Sequence, residues 1–495
     1  WSPGMTPTAE QLAIIEAATS TEDNLQISAL AGAAKTSTLV LIAEALASTT
    51  ILCLAFNKKI ATEMQERLPT NCTAMTLNSL GHRIWAQTIG KRLVLNTKKT
   101  YELVSAAIEA LPPKDEKNHA YETMADIMRM VDSAKTAGYV PDGHFPNTKP
   151  LMGDDEIYAW FDDEPTDTQW DIIRSVTIES ITRGLKGEID FNDQILLPAI
   201  FPVSMPVYPL ILVDEAQDLS ALNHRILRKL VKKRLIAVGD ECQAIYGFRG
   251  AHEDSMRLLQ ETFSTRRLFL SISFRCPIAV VEAARWRAPM MKYPDWAKPG
   301  SVTSLPKWTA DSIPDDAAII CRNNAPLFRT ALRLLKAGRY PQIIGNDVGK
   351  ALLKILRKFG PLSTPQESVL VSIQNWKQEK LAKTRSPGSI HDQAECLTLF
   401  AEQGKDLGDA IAYAEHIFNS QGPILLMTGH KSKGLEARRV WILAFTFNNK
   451  PGVDEENLRY VAITRSLAEL YLVGDLGPFS RPFAAASAFE EREAA

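Results

Sequence analysis

The chain has 495 residues, 45% of them hydrophobic and 23% charged, with a formal net charge of −2. That length exceeds one comfortable hydrophobic core and implies roughly two to four domains, and the composition excludes wholesale disorder. The near-neutral balance argues against a protein that coats nucleic acid by bulk electrostatics, so any such contact has to be local.

A helix is expected from about Ala9 to Ala18, then an apolar strand over Leu25 to Leu30, a glycine-containing turn and an alanine-rich helix from Lys35. Another apolar run, Ile51 to Phe56, opens a helix with Ile60, Met64 and Leu68 at helical spacing. This strand–helix alternation predicts a parallel sheet. From about Trp85 to Gly187 the alternation stops and the sequence turns polar and helical, the pattern of an inserted subdomain; its Trp160, Phe161 and Trp170 are expected in a core. Strands resume at Leu210 to Val213 and Leu235 to Val238, each ending at acidic residues, where parallel sheets place their chemistry. A second set of strands is expected at Leu268 to Ile272, Ala317 to Cys321, Leu425 to Thr428 and Val440 to Ala444, interrupted by polar helices. The resulting division is a first core over 5–85 and 189–270 with an insertion at 86–188, a second core over 271–349 and 421–483 with an insertion at 350–420, and a tail at 484–495. Met5 is the expected natural start, and Trp1 to Gly4 are set aside. The six cysteines are far apart without a Cys-x-x-Cys pair, so buried thiols are expected rather than zinc or disulfides. No stretch approaches the roughly 18–20 apolar residues of a membrane span, and no secretory signal pattern opens the chain.

Two strings carry chemistry. Ala29-Leu-Ala-Gly-Ala-Ala-Lys35-Thr36 lies between a strand and a helix, where backbone N–H groups of Ala31, Gly32, Ala33, Ala34 and Ser37 can wrap a nucleotide's phosphates. Lys35 would neutralise the β- and γ-phosphates and the Thr36 hydroxyl would ligate Mg²⁺. Ala34 stands where such loops use glycine, so its methyl group threatens the backbone angle or the phosphates. Leu210-Ile-Leu-Val-Asp214-Glu215-Ala-Gln-Asp218 puts two carboxylates at the end of an apolar strand, costly unless they serve an ion or partner. Asp214 would hold the metal and Glu215 would orient or deprotonate the attacking water. Together the strings predict a nucleoside-triphosphatase using ATP and Mg²⁺.

Three further strings follow in order: Val238-Gly-Asp240-Glu-Cys-Gln243-Ala-Ile-Tyr246-Gly-Phe248-Arg249-Gly-Ala, Thr428-Gly-His430-Lys-Ser-Lys433-Gly434-Leu-Glu436, and Tyr460-Val-Ala-Ile-Thr464-Arg465. With the phosphate loop and the Asp-Glu pair, they resemble the motifs of UvrD/Rep-type superfamily 1 DNA helicases, over Gln11 to Arg465. Glu455-Glu-Asn457-Leu-Arg-Tyr460 looks closest to the shorter phage and F-box DNA helicase branch.

The resemblance implies an α/β fold of two RecA-like P-loop NTPase cores, each with a mainly helical insertion, closing on ATP to step along DNA in the 3′ to 5′ direction. It implies that Gln11 reads adenine, that Gln243 senses the γ-phosphate, and that Arg275 and Arg465 act as arginine fingers. Phe274 would pack on the base, and Glu436 would bond the ribose or bridge the cores. Single-stranded DNA would run over Phe56, Asn57, Lys58, Thr76, Asn78, Ser79, Tyr246, Phe248, Arg249, His430 and Lys431, groups that stack on bases or hold the backbone without reading sequence.

The expected activity is therefore an ATP-dependent helicase acting on single strands and on single-strand/duplex junctions in replication, recombination or repair. Two alternatives stay open: a translocase that displaces proteins without unwinding, and a DNA-binding protein whose ATPase is weakened by Ala34. Expected partners include a loading or single-strand-binding protein but no membrane. The oligomeric state is left open, with a monomer sufficient. The setting would be cytoplasmic in a bacterium or phage-infected host, or nuclear in a eukaryote, and not secreted.

Overall fold

The computed structural model describes residues 6–113, 115–246, 254–345, 347–447, 452–475 and 479. The chain divides into two compact units. One comprises Trp1–Ala29, Ala34–Glu241 and Tyr246–Leu270; the other comprises Leu30–Ala33, Cys242–Ile245 and Ser271–Ala495.

The first unit holds β1 (Leu25–Ala29), β2 (Ile51–Ala55), β3 (Cys72–Thr76), β4 (Val94–Leu95), β5 (Glu188–Ile189), β6 (Leu210–Val213), β7 (Leu235–Gly239) and β8 (Arg266–Leu270). Six of these form one sheet in the order β3-β2-β6-β7-β1-β8, with every pairing parallel. Strands β2, β6 and β7 are buried at every residue, as a parallel sheet covered on both faces requires. Because all six strands run the same way, Lys35 after β1, Asp214 after β6 and Asp240 after β7 emerge at one edge of the sheet. The strand read as Leu268 to Ile272 and grouped with the second set of strands runs instead over Arg266–Leu270, within the 189–270 expected for the first core, and pairs with β1. Two arginines at its start hid the strand's true beginning.

The insertion of this unit is helical, with helices Lys99–Glu109, Asp115–Glu122, Met124–Ala137, Asp154–Trp160 and Asp167–Lys186, and with β4 and β5 paired beside them. Leu103, Val104, Ile127, Val131, Ile157, Phe161 and Ile173 form its core, with Trp170 packed against it. Trp160 was expected there too but is 50% exposed. It ends its helix, and the chain turns extended at Phe161, which points inward in its place. Trp85 ties the insertion to the core helix Leu77–Ile89 by donating its indole N–H to the Gly184 carbonyl at 2.9 Å.

The second unit contains β9 (Ser301–Leu305), β10 (Ala317–Cys321), β11 (Pro341–Ile343), β12 (Ile424–Thr428), β13 (Ala437–Leu443) and β14 (Ser466–Val473). They form a second wholly parallel sheet in the order β11-β12-β10-β13-β14-β9. Helices Asp347–Leu356, Gln366–Leu381, Pro387–Ala401 and Leu407–Asn419 share one hydrophobic cluster with this sheet. Phe328 of a sheet-flanking helix meets Phe400 and Phe418 of the insertion, with ring centroids 5.6 and 5.2 Å away. This insertion is thus fused to its core rather than carried as a separate body. All six cysteines are buried free thiols. Among the described residues, no helix is long and apolar enough to cross a membrane. The two helix-flanked parallel sheets are those of two RecA-like cores.

Candidate nucleotide and nucleic-acid site

In the first unit, the helix Lys35–Ala45 begins directly at the phosphate loop, and the residue before it, Ala34, adopts φ 57°, ψ 40°, the left-handed conformation. Alanine thus takes the shape glycine would take freely, at a local cost of about 1–2 kcal/mol. Glu215 is left-handed as well, with φ 50° and ψ 42°. Such strain in non-glycine residues collects at working sites, where the surroundings over-determine the backbone.

These two residues bracket a compact charged cluster. Lys35 Nζ lies 2.9 Å from Glu215 Oε2. The Thr36 hydroxyl is 3.4 Å from Asp214 Oδ2, while the other Asp214 oxygen accepts the Glu215 N–H at 2.9 Å. Burial by itself would lower the Lys35 pKa, but Glu215, Asp240 and Asp214 together raise it above the ordinary lysine value. Burial pushes the Asp214 carboxyl up to about 6, with repulsion from Glu215 adding to the rise and Lys35 opposing it. A hydroxyl and a carboxylate facing each other beside a buried lysine are hard oxygen donors of the kind Mg²⁺ takes, so the residues present fit that ion.

Gln217, which sequence reading did not single out, supports this cluster. Its amide donates to Glu215 Oε2 at 2.5 Å and its carbonyl oxygen accepts the Asp240 N–H at 2.9 Å. A Cβ at Gly239 would stand 2.7 Å from that oxygen, so glycine is needed there for the approach. Ser37 accepts a bond from Arg67 at 2.9 Å.

Gln11, the residue expected to read adenine, lies in the cap of the first helix. It is fully buried, its Oε1 accepts the Thr8 N–H at 3.0 Å in a capping box, and its Nε2 donates to Thr38 Oγ1 at 3.2 Å.

Within the second unit, residues 30–33 of the loop sit among the expected arginine and glutamine groups. The Ala31 N–H donates to the Tyr460 hydroxyl at 2.9 Å, and the Gly32 carbonyl accepts the Phe274 N–H at 2.9 Å. Gly32 has φ 74°, and a Cβ there would lie 2.6 Å from Arg275 Cβ, so both shape and space call for glycine. Ala33 is buried beside it. Arg275 pairs with Glu436, Nε to Oε2, at 2.6 Å; Glu436 therefore orients that arginine inside its own unit. Arg465 is 3% exposed and donates to the carbonyls of Val461 and Leu435, with Gln243 Oε1 at 3.5 Å from its Nη2. Burial, then repulsion by Arg275, lowers its pKa to about 10, which leaves it cationic at neutral pH. Phe274 stacks on Trp296 at 6.1 Å; Trp296 is 58% exposed and was not foreseen.

On the same edge of the first sheet lies a cleft of about 300 Å³ lined by Phe56, Asn78, Phe191, Asn192 and Tyr246 among others. Phe56 and Tyr246 are nearly parallel, 5° apart, with centroids at 6.5 Å. The Asn78 amide donates to the Phe191 carbonyl at 2.9 Å. Phe191, 56% exposed, is the aromatic that sequence reading missed. Asn57 and Thr76 cap the helices Lys58–Arg67 and Leu77–Ile89, Thr76 accepting from the Ser79 N–H at 3.1 Å. Lys58 is exposed beside Phe56. His430 and Lys431 belong to the second unit, where Lys431 Nζ lies 3.9 Å from Asp347. Phe248 and Arg249 lie outside the described residues.

A family profile described as an AAA domain matches residues 11–249, and one described as a UvrD-like helicase C-terminal domain matches residues 423–473. F-box DNA helicase protein 1 of Schizosaccharomyces pombe is 24% identical, over 94% of this chain and 57% of its own length. F-box DNA helicase 1 of Gallus gallus is 24% identical over 89% of this chain and 46% of its own. ATP-dependent DNA helicase PcrA of Staphylococcus aureus is 24% identical over 54% of this chain and 38% of its own. The chain thus spans about half the length of the F-box relatives it matches. Both ends of the motif series fall inside matched profiles, and these matches together support the resemblance to UvrD/Rep-type superfamily 1 helicases.

Proposed function

We propose that this chain is an ATP-dependent DNA helicase that translocates along single-stranded DNA in the 3′ to 5′ direction and separates duplex ahead of it. The observation that carries the reading is the cluster in which Lys35, Thr36, Asp214 and Glu215 meet at one edge of a parallel sheet that also bears the aromatic cleft.

Backbone N–H groups of the loop and the Lys35 ammonium bind the phosphates of ATP. Thr36 and Asp214 hold Mg²⁺, which when bound neutralises phosphate charge. Glu215, kept in place by Gln217, orients the attacking water and accepts its proton. Within the second unit, Arg275 and Arg465, with Gln243 beside Arg465, are by resemblance the groups that answer the negative charge a transferring phosphoryl group gains. Phe274 with Trp296 offers an aromatic face to the base.

In the cleft, Phe56 and Tyr246 are spaced at nearly twice the ~3.4 Å repeat of stacked bases, which suits one base between them. Phe191 adds a further face, and stacking of this kind tolerates any base. Lys58, Thr76, Ser79, His430 and Lys431 serve the sugar–phosphate backbone. Names of relatives that are DNA helicases support the substrate class.

Strand separation on forked duplexes bearing either a 3′ or a 5′ tail tests the reading. ATP-dependent unwinding of the 3′-tailed fork alone is expected. Displacement of a bound protein from single strands without unwinding on either fork would replace helicase by translocase.

A further inference from the structure

Beneath the aromatic cleft, four charged side chains are buried together. Lys99 and Asp193 are completely buried, Lys135 is 1% exposed and Asp190 7%. Lys99 Nζ donates to Asp193 Oδ2 at 2.7 Å and to the carbonyls of Ser180 and Glu188 at 2.8 Å each. Lys135 Nζ donates to Asp190 Oδ2 at 2.5 Å and to Ser180 Oγ at 3.1 Å, and lies 2.7 Å from Asp193 Oδ1. Two ammonium groups thus neutralise two carboxylates.

Stability alone is a weak reason for such a network, because apolar residues of the same volume commonly do as well or better. What the network does uniquely is fix one turn. Asp190 and Asp193 exchange bonds, each carboxylate accepting the other's backbone N–H at 3.0 and 2.9 Å. The residues they enclose are Phe191 and Asn192, both lining the cleft. The two lysines come from separate helices of the insertion, Lys99–Glu109 and Met124–Ala137, so the turn is anchored from two sides. A half-exposed aromatic at a turn tip would otherwise lose conformational freedom when it stacks on a ligand, weakening binding.

We propose that the Lys99–Lys135–Asp190–Asp193 network is a positioning device for nucleic-acid binding, which holds the 191–192 tip so that the Phe191 ring is presented to a nucleobase in the cleft. The proposal rests on the reading of that cleft as a single-stranded DNA groove. The network touches no nucleotide itself.

The test is ATP hydrolysis by the full chain titrated with an oligothymidylate, reading the half-saturating DNA concentration apart from the rate without DNA. Phe191→Ala is expected to raise the half-saturating concentration about tenfold. The paired neutral variant Lys135→Met with Asp190→Asn, which removes one charge of each sign, is expected to raise it nearly as much with an unchanged DNA-free rate. Adding Phe191→Ala to that pair should then cost little more. Unchanged half-saturation in the folded pair, or fully additive losses in the triple variant, would overturn the proposal. If the pair does not fold, Thr100→Val removes only the hydroxyl that bonds Asp132 at 3.2 Å and Asp190 at 3.5 Å. It should raise half-saturation about two- to threefold, and no rise would overturn the proposal. The groove reading fails separately, and takes the proposal with it, if Phe56→Ala and Phe191→Ala both leave half-saturation unchanged.

Discussion

Lys35 and Glu215 are held in an ion pair of 2.9 Å although the chemistry assigns them to different partners, phosphate for the lysine and water for the carboxylate. The pair shows that the loop after β1 and the end of β6 converge on one point, and ATP phosphates have to compete with Glu215 for the ammonium. Glu215→Gln should therefore leave ATP binding intact or tighter while slowing turnover by about 10²–10⁴-fold. Equilibrium binding of a fluorescent ATP analogue beside steady-state hydrolysis checks both halves. Weaker binding in this variant would contradict the competition.

The Asp214 carboxyl carries a testable pH signature. Its pKa in the folded chain is about 6 against an ordinary 3.8, so the folded state binds this proton more tightly than the unfolded state does. The contribution to stability is complete below about pH 4 and is lost as the pH rises through 6, a difference of about 3 kcal/mol at 1.36 kcal/mol per unit. With Mg²⁺ chelated, Asp214→Asn should melt higher than the parent at pH 8, and the gain should vanish toward pH 4. Equal melting at pH 8 would mean that the carboxylate is stabilised by partners beyond those described.

Ala34 provides a third measurement. Its left-handed backbone favours glycine by about 1–2 kcal/mol, partly offset by about 0.5–1 kcal/mol of glycine's own entropy in the unfolded chain. Ala34→Gly should thus stabilise by about 1 kcal/mol or less and lower the KM for ATP by no more than about fivefold. A much larger gain in hydrolysis would mean that the methyl group obstructs the phosphates rather than merely straining the loop.

Arg465 is buried and cationic, with its guanidinium already bonded to two carbonyls. Arg465→Ala should leave ATP binding nearly unchanged and slow turnover by about 10³-fold or more, the range for an arginine finger. Single-turnover kinetics separates the two effects. A loss confined to binding would make this residue a structural cation.

Much of this arrangement was legible from the sequence, and for local reasons. The uninterrupted apolar runs Ile51–Ala55, Leu210–Val213 and Leu235–Gly239 are strands buried on both faces, so composition alone marked them. Strands with exposed positions, such as Cys72–Thr76 and Ser301–Leu305, lacked that signal. Arg266–Leu270 was grouped with the later strands because its pairing with Leu25–Ala29 is a contact across most of the first unit, which no window of sequence contains. The Thr8–Gln11 capping box was readable from its spacing, but the glutamine's resemblance-based role obscured it. Phe191 and Trp296 were missed because neither falls inside a motif string, and only the fold brings them beside Asn78 and Phe274. The Lys99–Asp193 pair joins residues far apart in the chain, so burial of both charges had no local signature.

On the proposed function, the charged cluster at Lys35 and the aromatic cleft serve one DNA-driven motor. Steady-state ATP hydrolysis, with and without an oligothymidylate, in the parent chain and in Lys35→Ala, tests it most directly. Hydrolysis should rise at least about tenfold with DNA in the parent and be absent in Lys35→Ala. Hydrolysis that ignores DNA, or that survives loss of Lys35, would contradict it.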